Sequence, residues 1–443
     1  MFHDHGSAAK LKDNVEQFHT TVSVPMRGLN PSRTTLANGV VLLAKQTQTT
    51  PAVSISLAVR AGSASDPAGR PGLTWLLSRV LDRGTASRSG AEIAEALDSR
   101  GITLTIAVTR HLFSLVCTCL ADDFEPVLAL LGDIVMAPAL PAEEIATRKR
   151  EVITSIRQDA DSPAVRATET LMALLYPDGH PYGRRTKGSI EIVEALSRDE
   201  LVRHHAERFA PGALTAVVVG DVEQARARDV VARVFDGWQK PAPPPIPLPQ
   251  PRIADARRRV VVPMMNKSQA DLACGFVTIR RSDPDYYACW LMNNVFGQYS
   301  IGGRLGDSIR ERQGMAYYVS STLDANVAEG PLAIRAGVSP ANVDRALASI
   351  DHEIGAIVTD GITQKELDDS RRYLVGSIPR ALETNAAIAA FLQTEEFFGL
   401  GLDYDARLPD LLGAVTLEQA NAAARRLLDV NRATVVIAGP YTE

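Results

Sequence analysis

The sequence has little of what would place it in a special class. Cysteine occurs only four times in 443 residues, as Cys117, Cys119, Cys274 and Cys289, and no C-x-x-C pair exists. Cys117 and Cys119 lie two apart in the strand-like run LFSLVCTCL, hence on one face, and free thiols in a reducing compartment are the reading. Neither sign of charge dominates. A net charge of −5 with a pI near 6.0 gives no general affinity for nucleic acid or an anionic membrane. No apolar run approaches the roughly 18 residues needed to cross a bilayer. The N-terminal stretch MFHDHGSAAKLKDNVEQF lacks a basic segment followed by an apolar one, which predicts a cytoplasmic chain, or a periplasmic one if a signal has been removed. No G-x-S-x-G occurs, and no cysteine sits in a nucleophile's setting. What remains is an ordinary globular balance, 45% apolar and 22% charged, with length for two to three domains.

Residues 1–33 are polar and read as an arm, in which His3 and His5 are solvated rather than metal ligands. Leu36–Lys45 reads as a strand entered through an Asn38-Gly39 turn, and Val53–Val59 alternates as a second strand. A turn-rich loop over Ala61–Pro71 leads into Gly72–Thr85, where Leu73, Leu76, Leu77, Val80 and Leu81 recur at helical spacing. Ser89 is placed to cap a helix over Ser89–Ser99, and Ile102–Leu120 reads as two strands. Helices follow over Asp122–Val135, Pro141–Ala160 and Arg198–Arg208, with a loop at His180–Gly183 and a buried strand at Leu214–Gly220. Then comes KPAPPPIPLPQPR (240–252), whose seven prolines exclude a helix or an inner strand and predict a stiff, extended linker.

The linker separates an arm and first domain (34–239) from a second domain (253–443), and the two domains repeat one another. ALTAVVVGDV closes one and RATVVIAGP the other. Asp66-Pro67 is echoed 217 positions on by Asp283-Pro284, and Trp75-Leu76 with Val80 recurs at an offset of 215 as Trp290-Leu291 with Val295. Repetition at nearly one offset predicts two homologous α+β domains, each a β-sheet covered by helices. It also makes Trp75 most simply a core anchor on a helix that both halves share.

By frame and flanks, GLTWLLSRVLDRGT resembles the zinc helix of the pitrilysin, insulinase and mitochondrial-processing-peptidase family. HPYGRRTKGSIEIVEALSRDEL (180–201) resembles a second segment of the same family. The likeness runs from about Leu36 to Pro440. Family members carry H-x-x-E-H on this helix, two His as ligands and the Glu as base. Here Trp75 and Arg79 stand at the ligand positions and Ser78 at the base. A third ligand, a Glu about 75 residues on, aligns with Ser155, and a substrate-strand Asn with Thr105. An indole, a fixed cation and a hydroxyl cannot hold a divalent metal. Nearby Glu151 is better read as a solvated carboxylate. His204-His205-Ala206-Glu207-Arg208 contains H-x-x-E, but Arg208 stands where a second His belongs.

The second domain retains more of the family's pattern. Gly302-Gly303-Arg304-Leu305 followed by GDSIRERQGMAYYVSS resembles the family's glycine-rich loop and R-E-x-x-G-x-A-Y. The resemblance implies that Arg310 and Tyr317 serve an active site, a guanidinium donating to a peptide carbonyl and a phenol to an oxyanion. Otherwise Arg310 pairs with a neighbouring acid and Tyr317 packs in the sheet. Tyr318 faces the opposite way. Gly302 and Gly303 either allow a turn or let a substrate backbone approach. Taken together, the resemblance implies the non-catalytic subunit of a bacterial heterodimeric peptidase. This chain would bind no cofactor, and its homologous partner would carry H-x-x-E-H and the zinc. Unfolded peptides would be the substrates. A scaffold subunit without a catalytic role, or a peptide-binding module, is the alternative.

Overall fold

A computed structural model describes residues 28–299 and 303–442. His3, His5 and most of the polar arm lie outside the described residues. The first sheet is built from β1 (Ser32–Thr35), β2 (Val41–Gln46), β3 (Ala52–Val59), β4 (Thr105–Val108), β5 (Phe113–Leu120) and β6 (Leu214–Gly220). The second is built from β7 (Arg258–Pro263), β8 (Ala270–Val277), β9 (Ala316–Leu323), β10 (Pro331–Val338) and β11 (Thr434–Gly439). Their orders are β1-β2-β6-β3-β5-β4 and β7-β11-β8-β10-β9. With β1 set aside, one order maps onto the other strand for strand. In each sheet the last strand of the half inserts parallel to the first of the matched strands, β6 beside β2 and β11 beside β7. The protein is an α+β fold of two like sheets with helical cover.

One expectation needs correcting. Leu36–Lys45 is not a single strand, because Leu36–Val40 form the turn of a β1–β2 hairpin. Leu36 N–H donates to Val40 O at 2.8 Å, and Gly39 sits at φ +95°, where a Cβ would stand a tight 3.2 Å from Gly212 Cα. The Asn38-Gly39 signal therefore separates two strands, β1 being too short and polar to read in advance. Elsewhere local chemistry sets the elements. Ser89 caps the helix Gly90–Asp98 in a reciprocal box with Glu92, whose carboxylate accepts from Ser89 N–H at 2.8 Å.

The halves exchange helices. Pro163–Leu175, from the first half, lays Ala167, Leu171 and Leu175 on the second sheet against Ala273, Val436 and Ala438. Asn385–Phe398, from the second half, lays Ile388, Ala389 and Leu392 on the first sheet against Leu43, Val217 and Val219. Both sheets are thus covered on both faces, which explains why every residue of β6 is buried. Each fully buried leucine in these seams contributes roughly 1.5–3 kcal/mol. Residues 240–257 contain no helix or strand and are strapped to the first half, Arg208 donating to Pro244 O and His180 Nε2–H to Pro249 O, each at 2.8 Å. Arg110, beyond edge strand β4, pairs with Asp324, beyond edge strand β9.

Candidate functional site

The helix Leu73–Val80 is anchored at its start by a buried carboxylate. Asp66 accepts from Gly72 N–H and Thr74 N–H, both at 2.8 Å, and from the Thr74 hydroxyl at 2.6 Å. Burial pushes Asp66 up to about 6 despite these donors. The Thr74 hydroxyl in turn accepts from His204 Nε2–H at 2.9 Å. His204 and His205 are therefore structural: His205 donates to Val135 O at 2.8 Å, and burial pulls both rings down to about 4, where they stay neutral. Glu207 faces solvent, so the H-x-x-E of this helix converges on nothing.

Two of the residues matched to metal ligands, Trp75 and Ser155, are brought together around an ammonium, and the third, Arg79, is not. Lys187 Nζ donates to Ser155 Oγ at 2.7 Å and to Asp159 Oδ2 at 2.6 Å, and it lies 5.8 Å from the ring centre of Trp75. Two glycines make this approach. Gly72 and Gly188 both have positive φ, and a Cβ on Gly188 would stand 2.2 Å from Pro71 O. Trp75 is half-buried against the first core, and Trp290 occupies the same setting in the second half. The Ser78 hydroxyl donates back to Trp75 O at 2.7 Å, and Arg79 points to solvent. Ser155 and Lys187 do not form a serine–lysine dyad, because an ammonium ion-paired with Asp159 donates and has no lone pair with which to take the serine proton. Glu151 is exposed and pairs with Arg148. Among the described residues no group of three or more His, Cys, Asp or Glu could hold a metal. The donor set of Trp75, Arg79 and Ser155 does not fit zinc. The cysteines are no nucleophiles either, since burial pushes Cys117, Cys274 and Cys289 up to about 12 and Cys119 to about 11.

The second half has a different character. Two π-helical turns, Asn294–Gln298 and Gly306–Arg312, flank the glycine loop, and such turns gather at functional sites. Arg310 projects from the second of these. Its side chain is half-exposed and, among the described residues, its one ion-pair neighbour is Glu311, at 3.6 Å. Gly314, at φ +59°, turns the chain into β9, and Gly314 N–H donates to Arg310 O at 3.1 Å. Tyr317 occupies a β-bulge: Tyr318 pairs with Gly337 and Ala316 with Val338, which leaves Tyr317 without a cross-strand partner. The extra residue is thrown outward and is 84% exposed. Tyr318 points the other way and donates its hydroxyl to the buried Asp271. Thr105 is exposed on β4, the matching edge strand of the first sheet.

Gly302 lies outside the described residues. Gly303 is buried, and the close approach it permits is to its own chain: a Cβ there would lie 3.1 Å from Gly297 Cα and 2.9 Å from Tyr299 O. Lys187 and the bulge at Tyr317 are the features that sequence reasoning missed. The charge of Lys187 beside a helix-facing glycine pair was visible, but its target was not.

A two-domain α+β scaffold of this topology, with no cluster of metal-ligating side chains among the described residues, defines a peptidase-type fold. The insulinase (peptidase family M16) model matches residues 41–186, and the peptidase M16 inactive domain model matches residues 195–374. The chain belongs to the M16 peptidase family. It is 26% identical to an uncharacterized zinc protease of Mycobacterium leprae over 94% of this chain and 93% of that one. A non-peptidase homolog from Helicobacter pylori is 23% identical over 86% and 88%. The crystal structure of a peptidase M16 inactive domain from Pseudomonas fluorescens superposes with a TM-score of 0.86 at 28% identity, covering 94% of this chain and 98% of that one.

Proposed function

We infer that this chain is the non-catalytic subunit of a heterodimeric zinc-dependent oligopeptidase. The observation that carries the reading is the contrast between its two halves. In the first, the positions matched to metal ligands are filled by Trp75, Arg79 and Ser155, and Lys187 lies between Trp75 and Ser155. In the second, Arg310 and Tyr317 stand on one turn-and-strand unit, the arginine loosely paired and the tyrosine set outward by a bulge. Side chains held out in this way serve a group that comes from outside the chain. The zinc and its attacking water belong to a homologous partner with H-x-x-E-H. This chain's guanidinium donates to the carbonyl of an unfolded peptide, and its phenol donates to the oxyanion formed there.

The test is reconstitution. The chain and an H-x-x-E-H partner, each inactive alone, regain peptide cleavage when mixed, and Arg310→Ala or Tyr317→Phe removes most of it. Full activity in both mutant mixtures would leave a scaffold role, the reading that suits a family with a member named as a non-peptidase homolog.

A further inference from the structure

Where the exchanged helix Pro163–Leu175 ends, a cavity of about 510 Å³ opens between the halves. Its apolar wall includes Leu175, Ile253, Phe276 and Leu427. Its floor is the second sheet. Val436 and Ala438 face the exchanged helix, and by the period of two Thr434 faces the same side. The Thr434 hydroxyl is buried and has no hydrogen-bond partner among the described residues, and the residue is 1% exposed. A buried hydroxyl left unpaired beneath a cavity calls for an explanation, and a ligand's acceptor oxygen reaching it supplies one.

Around the mouth stand five arginines from four separate segments. Arg252 ends the proline-rich linker, Arg258 begins β7, Arg425 and Arg426 close the helix Leu417–Leu427, and Arg432 precedes β11. Arg426 is held by Asp283 and Asp285, both at 2.7 Å, and Arg432 by Asp429 at 3.5 Å. Arg252, Arg258 and Arg425 have no side-chain partner among the described residues. Asp178 and Asp429 are the carboxylates on the lining, so cations prevail. Three uncommitted guanidinium groups and a buried hydroxyl offer more donors than one carboxylate can accept.

We propose that this cavity binds a small polyphosphate, inorganic or carried by an organic group. Linked phosphates supply several acceptor oxygens at the spacing of separate guanidinium forks. The apolar wall is available to an attached base or chain. The bound anion would tie the linker, the first half's helix and the second half's sheet together, which makes stability a readout independent of any peptidase activity.

The experiment is calorimetric titration and thermal denaturation of the full chain with tripolyphosphate, ATP, adenosine and a hexaglutamate peptide. Tripolyphosphate should bind and raise the melting temperature, with affinity falling as salt rises. Arg258→Gln and Arg425→Gln, both at exposed positions, should each weaken it about tenfold without changing the unliganded melting point, a loss on the scale of a charge-assisted hydrogen bond. Thr434→Val should weaken it less. ATP binding as well as tripolyphosphate means that phosphates alone are read, and tighter ATP binding means that the apolar wall also contributes. Both results support the site. Absent binding, hexaglutamate binding as tight as tripolyphosphate, or undiminished affinity in both arginine variants would overturn it.

Discussion

Lys187 donates to Ser155 at 2.7 Å, and this contact holds an ammonium between two helices at positions matched to a metal-ligand set. The same ammonium neutralises Asp159 at 2.6 Å. Removing it exposes how far the site has moved from metal binding. Lys187→Met should lower unfolding free energy by about 1–3 kcal/mol, the range for losing a charged hydrogen-bond partner in a half-buried setting. It should not create a metal site, because Trp75 and Arg79 still offer no ligand atoms. Elemental analysis after zinc loading checks this: stoichiometric zinc in the variant would mean that the lysine alone keeps the metal out.

Adjacent tyrosines on β9 should behave oppositely. Tyr317→Phe removes a hydroxyl from an exposed bulge and should leave denaturant midpoints unchanged. In the reconstituted complex it should lower kcat by about 10²–10³, the usual cost of one oxyanion donor. Tyr318→Phe removes the donor to Asp271, a carboxylate 3% exposed whose remaining side-chain donor is Gln269 at 3.2 Å. That change should cost about 1–3 kcal/mol of stability and little activity per folded molecule. Urea denaturation beside steady-state kinetics separates the two cases.

What could be read in advance follows a physical division. Period-two and period-3.6 patterns, the Ser89 cap, the proline run and the 215–217 repeat are local or self-referring, so they gave the elements, the linker and the paired halves. The reading of Trp75, Arg79 and Ser155 as replacements for ligands comes from the resemblance alone, because an absence on a recognisable helix needs no coordinates. Lys187 was not, since it sits in a turn and its partners lie 28 and 32 residues away on the helix Ala142–Ala160. Nor was the bulge, which depends on how Gly337 and Val338 pair with β9 rather than on any residue of β9 itself. The helix exchange was hidden for a similar reason: an apolar stripe declares that it is buried without declaring against which sheet.

That exchange should make the halves one cooperative unit. Leu171 and Leu392 are both 0% exposed and sit on opposite exchanged helices. Leu171→Ala and Leu392→Ala should each cost about 2–5 kcal/mol, as cavity-forming substitutions do. Each should shift a single unfolding transition rather than split it. Fluorescence from the first half's Trp75 and Trp238 and the second half's Trp290, followed beside circular dichroism, tests this. Separate transitions would mean that the halves fold independently despite their shared helices.

The last expectation concerns pH and rests on Glu395, which lies on the helix exchanged onto the first sheet. Both of its carboxylate oxygens are buried and, among the described residues, lack a hydrogen bond of normal geometry, the Asp405 N–H making at most a weak approach. Oδ1 of Asp405 is likewise unpartnered there, while its Oδ2 accepts from Leu29 N–H at 2.6 Å. Burial first, and then the charge of Asp405, push Glu395 up to about 8; the Asp405 backbone N–H opposes the rise, Asp403 adds to it and Arg407 opposes it. Between its ordinary value of 4.5 and about 8 the folded chain therefore keeps a proton that the unfolded chain releases. The stability contributed by this group is full below the lower value and is lost as pH rises through the upper one. Asp66 acts in the same direction but finishes near 6, and the buried His204 and His205 rings, held near 4, act in the opposite direction only below the ordinary histidine range. From about pH 6.5 to about pH 8.5 the melting temperature should therefore fall with a slope owed mainly to Glu395. Glu395→Gln, uncharged throughout, should flatten that slope and be the more stable chain at the alkaline end. A wild-type melting temperature that rises across the same interval, or a variant with an unchanged slope, would show that this carboxyl is already ionised in the folded chain.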